Sequence, residues 1–83
     1  MSDKSNTPND DEFDNLIKEL KGSDKKLKKN ALEILEEKAL NNENITKAVI
    51  TLEKLILQKD EYIWKKSGDI LAYYFQIIFN LFF

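Results

Sequence analysis

The sequence predicts an all-α domain of four helices folded as two helical hairpins. Apolar residues recur over four separate stretches at the period of an amphipathic helix, not at the period of two expected of a half-buried strand. The 83-residue chain has one Pro and two Gly, so little interrupts those stretches. The chain also answers itself at a shift of 36 residues, LIKELKGSDKKLKKNALEIL (16–35) lying over LEKLILQKDEYIWKKSGDIL (52–71).

Each helix carries its own punctuation. Residues 1–9 read as a solvated polar tail, with the domain spanning 10–83. The first helix starts near Asn9 or Asp10, with Asn9 and Glu12 as a capping box. Its face is Phe13, Leu16, Ile17 and Leu20, and Gly22 stops it through the freedom to adopt positive φ. Ser23 is the expected N-cap of the second helix, with Asp24 in its first turn. Leu27, Ala31, Ile34 and Leu35 form that helix's face, and Asn41, Asn42 and Asn44 break it. The third helix is expected from Ile45 to Lys59, capped by Asn44. Its face is Ile45, Ala48, Val49, Leu52, Leu55 and Ile56, widened by Ile50 and Leu57.

Asp60 caps a fourth helix that starts at Glu61 and, having no Pro, runs almost to the end. Its polar residues Lys65, Asp69, Tyr73, Gln76 and Asn80 make one narrow stripe on an otherwise apolar cylinder, which must be covered on several sides. Trp64, Ile70, Leu71, Tyr74, Phe75 and Ile78 are expected in the core. The surplus, Phe79, Phe82, Phe83 and one of Tyr73 or Tyr74, is expected as an exposed patch or subunit contact. Tyr73, Phe79, Phe82 and Phe83 are thus the candidate partner-binding residues.

The internal match pairs Leu16 with Leu52, Lys18 with Lys54, Asp24 with Asp60, Lys29 with Lys65, Ile34 with Ile70 and Leu35 with Leu71. Small residues correspond at Ala31 and Ser67. Each copy is a helix, a short turn containing Asp24 or Asp60, then a Lys-rich helix carrying a small residue. The pattern resembles a HEAT or armadillo-type helical repeat, with units at about 13–41 and 45–83. It departs from that family in its shorter period, in lacking the first-helix Pro, and in carrying Lys28-Lys29 or Lys65-Lys66 where Arg is usual. The resemblance implies a scaffold or adaptor presenting a surface to protein partners. Two units fall below the three usual for a solenoid, which implies either a compact four-helix bundle or a solenoid fragment completed by dimerisation.

Composition narrows the chemistry. The chain has no Cys, His or Arg. Disulfides, thiolate chemistry, the commonest general base and the bidentate phosphate clamp are therefore missing. No enzyme, cofactor or metal site is expected. Glu33, Glu36 and Glu37, and Asp10 with Asp14, read as solvated faces, since no His completes a diiron motif. Ser67-Gly68-Asp69 has no base beside it and reads as small residues where helices approach. Gly68 costs about 1 kcal/mol against Ala in a helix, so a packing reason is expected for it.

Lys25, Lys26, Lys28 and Lys29 are candidate phosphate contacts, through which a weak nucleic-acid binder is a further alternative reading. The net charge of −2 and the neighbouring Asp24, Glu33, Glu36 and Glu37 favour a charged solvent face instead. The C-terminal run ILAYYFQIIFNLFF, 14 residues, is shorter than a bilayer span. A small membrane-proximal helical protein of bacteriocin-immunity type is the second reading of that apolar end. The expectation is a non-catalytic, cytoplasmic protein-interaction module whose aromatic C-terminal helix contacts a protein partner or a second copy.

Overall fold

A computed structural model describes residues 8–82, with side-chain environments for 12–80. Four helices follow one another: α1 (Pro8–Lys21), α2 (Lys25–Leu40), α3 (Thr46–Leu55) and α4 (Glu61–Phe82). The described residues contain no strand.

Helix starts follow local chemistry. α1 opens on Pro8, whose fixed φ and missing N–H suit a first helical position. Asn9 therefore lies inside the first turn rather than capping it, and the helix begins two residues before the expected boundary. Residues 1–7 of the expected tail lie outside the described residues. α2 is capped by Asp24, not Ser23: its carboxylate accepts the backbone N–H groups of Lys26 and Leu27. Asp60 plays the expected part at α4, with Oδ1 accepting Ile63 N–H at 3.3 Å.

Helix ends differ more from expectation. Gly22 closes α1 by donating its N–H to Lys18 and Glu19 carbonyls, without a positive φ. α2 ends because Asn42 adopts a left-handed φ of 63°. Asn42 N–H then reaches Ala39 O and Glu43 N–H reaches Lys38 O, a Schellman closure. α3 stops at Leu55, four residues short of the expected Lys59, because Leu57 and Gln58 N–H groups bond three residues back and tighten the chain into a turn. Ile50 and Leu57, expected to widen the buried stripe, are 67% and 85% exposed.

The helices pack α1 on α2, α3 on α4, α1 on α3 and α2 on α4. An up-and-down bundle would instead set α2 beside α3 and α1 beside α4. The two hairpins are therefore stacked, first helix on first and second on second. Phe13, Leu16 and Leu20 of α1, Ala31, Leu32, Leu35 and Ala39 of α2, Ile45, Ala48, Leu52 and Leu55 around α3, and Ile63, Ile70 and Leu71 of α4 form one core.

Leu27, expected on the buried face of α2, is exposed, and Leu32 takes its place. The counterpart of Leu27 in the second hairpin, Ile63, is buried. Among the described residues α4 packs against α2 and α3, and α2 against α1 and α4.

Polar ties join each packed pair. Lys38 bridges Glu12 of α1 at 3.0 Å and Glu43 of the α2–α3 turn at 3.4 Å, and lies over the Phe13 ring. Lys47 of α3 meets Asp14 of α1 at 3.5 Å. Lys66 of α4 meets Glu36 of α2 at 2.9 Å. Thr46 Oγ1 and Tyr74 OH, 2.8 Å apart, join α3 to α4.

Candidate interaction surface

α4 is the longest helix, 22 residues against 10 in α3, and it carries most of the aromatic side chains. Its buried side is Ile63, Ser67, Ile70 and Leu71, with Tyr74, Ile77 and Ile78 half-buried. Ser67 is fully buried, and among the described residues its hydroxyl finds no hydrogen-bond partner. Its counterpart in the repeat, Ala31, is equally buried. Smallness rather than hydrogen bonding is what both positions share.

The outward side overturns part of the expected core. Trp64 is 38% exposed and Phe75 is 50% exposed. With Phe79, 60% exposed, they share one face. At 3.6 residues per turn, positions 64, 68, 72, 75 and 79 fall within about 80° of arc and run roughly 22 Å along the helix. Gly68 and Ala72 complete this stripe. No close helix explains Gly68: among the described residues, a Cβ built there would meet nothing within 4 Å. The packing reason expected of Gly68 is therefore not found among the described residues.

Of the candidate partner-binding residues, Phe79 lies on the exposed stripe. Tyr73 is half-buried against the core and lines a shallow groove of about 190 Å³ with Ala39, Leu40, Gln76, Ile77 and Asn80. The side chains of Phe82 and Phe83 lie outside the described residues. A second groove, about 240 Å³, runs between Tyr74, Ile77 and Ile78 and the α2–α3 turn. Trp64 and Phe75 were missed as surface residues. They share the arc of Phe79, but apolar residues on every side of α4 leave the sequence without a signal that this arc is the outer one.

The lysine cluster lies over the first turn of α2. Lys25 pairs with Asp60 at 2.8 Å, and the ammonium of Lys29 lies 4.8 Å from the centre of the Tyr62 ring. Lys26 and Lys28 use their backbone N–H groups at the start of α2, bonding to Asp24. The carboxylates are likewise engaged along the α2–α4 seam. Tyr62 OH donates to Glu33 at 3.1 Å, while Glu36 holds Lys66. Burial, and then the bond to Glu33, push the Tyr62 hydroxyl pKa up. The Glu36 carboxylate holds the Lys66 ammonium pKa above its ordinary value.

Among the described residues, no helix is long and apolar enough to cross a membrane. Comparison of the chain with protein-family models, curated proteins and solved structures finds no match in any of the three.

Proposed function

We propose that the chain is a non-catalytic helical interaction module, an adaptor or scaffold working in the cytoplasm, with the outer face of α4 as its contact surface. The observation that carries this reading is the aromatic stripe: Trp64, Phe75 and Phe79 stand exposed on one side of a helix whose other side is core. Aromatic side chains of this kind supply large contact area at low entropic cost and are the residues most enriched in interface hot spots. The stacking of like helix on like helix supports reading the hairpins as two units of a HEAT-like repeat, a construction that presents continuous helix faces to protein partners.

The test is affinity capture from cells of the source organism with the full chain and its Phe75→Glu variant, circular dichroism verifying that helicity is equal. A specific protein retained by the wild type should be lost from the variant. Equal retention by both would remove α4's outer face as the contact surface.

A further inference from the structure

We infer that the end of the molecule holding the α1–α2 and α3–α4 turns docks on an anionic lipid bilayer, its lysines meeting the headgroups and Leu57 entering the interfacial layer.

Helix register brings the two turns together. Partners advance in step along α2 and α4, Lys25 with Asp60, Lys29 with Tyr62 and Glu36 with Lys66, so these helices run parallel. Lys38 over Phe13 and Thr46 beside Tyr74 set α1 and α3 antiparallel to them. Residues 22–24 and 56–60 therefore share one end of the molecule, and residues 41–45 lie at the other. Asp14 meets Lys47, so Lys21 and Lys54, each seven residues further on, reach the turn end at the same height.

Charge is sorted along that axis. Residues 21–29 and 54–61 hold seven lysines and three carboxylates, a net charge of +4. The rest of the chain holds six lysines and twelve carboxylates, a net charge of −6. Lys21, Lys25, Lys26, Lys29, Lys54 and Lys59 are exposed, and among the described residues only Lys25 of these six is in an ion pair. α1 opens at the far end with Asp10, Asp11, Glu12 and Asp14. A negative surface attracts the turn end and repels the opposite one.

Apolar side chains separate a bilayer from other polyanions. Leu57 stands 85% exposed in the α3–α4 turn, with Ile56 beside it at 39% and Leu27, in the first turn of α2, at 44%. A nucleic-acid backbone offers phosphates but no apolar layer for these three side chains. An anionic bilayer supplies both, headgroup charge for the ammonium groups and, deeper, acyl chain for Leu57. Lysine suits this use, because a compact charge on a flexible stem needs no fixed geometry from headgroups that move laterally. The docking is peripheral, since among the described residues no helix is long and apolar enough to cross.

The single tryptophan, Trp64, stands in the first turn of α4 at the same end, so its emission reports docking. Vesicles of phosphatidylcholine with about 30% phosphatidylserine should sediment the full chain and shift Trp64 emission to the blue, whereas pure phosphatidylcholine vesicles should do neither. Leu57→Asp, and separately Lys26→Glu combined with Lys59→Glu, should weaken that binding about tenfold or more. Helicity should stay unchanged, because all three side chains are exposed. Equal binding to neutral and anionic vesicles, or binding to neither, would overturn the inference. So would anionic-vesicle binding that Phe79→Asp abolishes and Leu57→Asp leaves intact, which moves the contact to the outer face of α4. Binding of duplex DNA without any vesicle binding would also overturn it, giving the lysines to nucleic-acid phosphates.

Discussion

Lys25 Nζ lies 2.8 Å from Asp60 Oδ2, so the first residue of α2 is tied to the residue that caps α4. The two second helices therefore start side by side, and the hairpins stack with their turns at the same end. Asp60 serves twice, since its other oxygen accepts the Ile63 N–H. The Asp24–Asp60 match in the repeat thus marks two helix caps, one of which also joins the units.

The double role predicts an acid response. The hydrogen bond from Lys25, and then that from Ile63 N–H, hold the Asp60 carboxyl pKa below its ordinary value. A depressed folded-state pKa contributes stability that is complete above the unfolded value, near 4, and is lost as pH falls through the folded value. Asp60→Asn keeps an acceptor for Ile63 but loses the ion pair. Its thermal midpoint should be lower at neutral pH and decline less steeply in acid, read by circular dichroism. An acid decline equal to that of wild type would remove Asp60 from the response.

Core and surface apolar side chains should separate on truncation. Leu32 is fully buried, so Leu32→Ala should cost about 2–5 kcal/mol in urea unfolding. Trp64, although far larger, is partly exposed on the outer stripe, and in the monomer Trp64→Ala should cost only about 1 kcal/mol. The reverse order would return the indole to the core.

Asn42 holds the left-handed turn that ends α2. Glycine reaches that conformation without the steric cost that other residues carry, so Asn42→Gly should be neutral or add up to about 1 kcal/mol. Asn42→Val, β-branched at positive φ, should destabilise by more than about 1 kcal/mol. Equal midpoints for the two variants would show that the closure does not depend on residue 42.

Much of the fold is legible in the chain because it is local. The phase of Phe13, Leu16 and Leu20, the carboxylates at 24 and 60 and the absence of Pro after 61 each act within a turn or two of helix. Where local signals were ambiguous, position alone did not decide. Leu27 and Leu32 are equally apolar, and only tertiary packing leaves one exposed and buries the other. Ile56 and Leu57 continue an apolar run through a stretch that the backbone turns.

By itself the sequence determined four helices, the Asp60 cap, the internal match at a shift of 36 residues and a chemistry without Cys, His or Arg. Only the tertiary structure decided which side of α4 is core, because a helix apolar almost all round has no phase of its own. Packing by α2 and α3 supplies that phase, claiming Ile63, Ser67, Ile70 and Leu71. Among the described residues α4 packs on α2 and α3, and that packing turns Trp64 and Phe75 from expected core into surface.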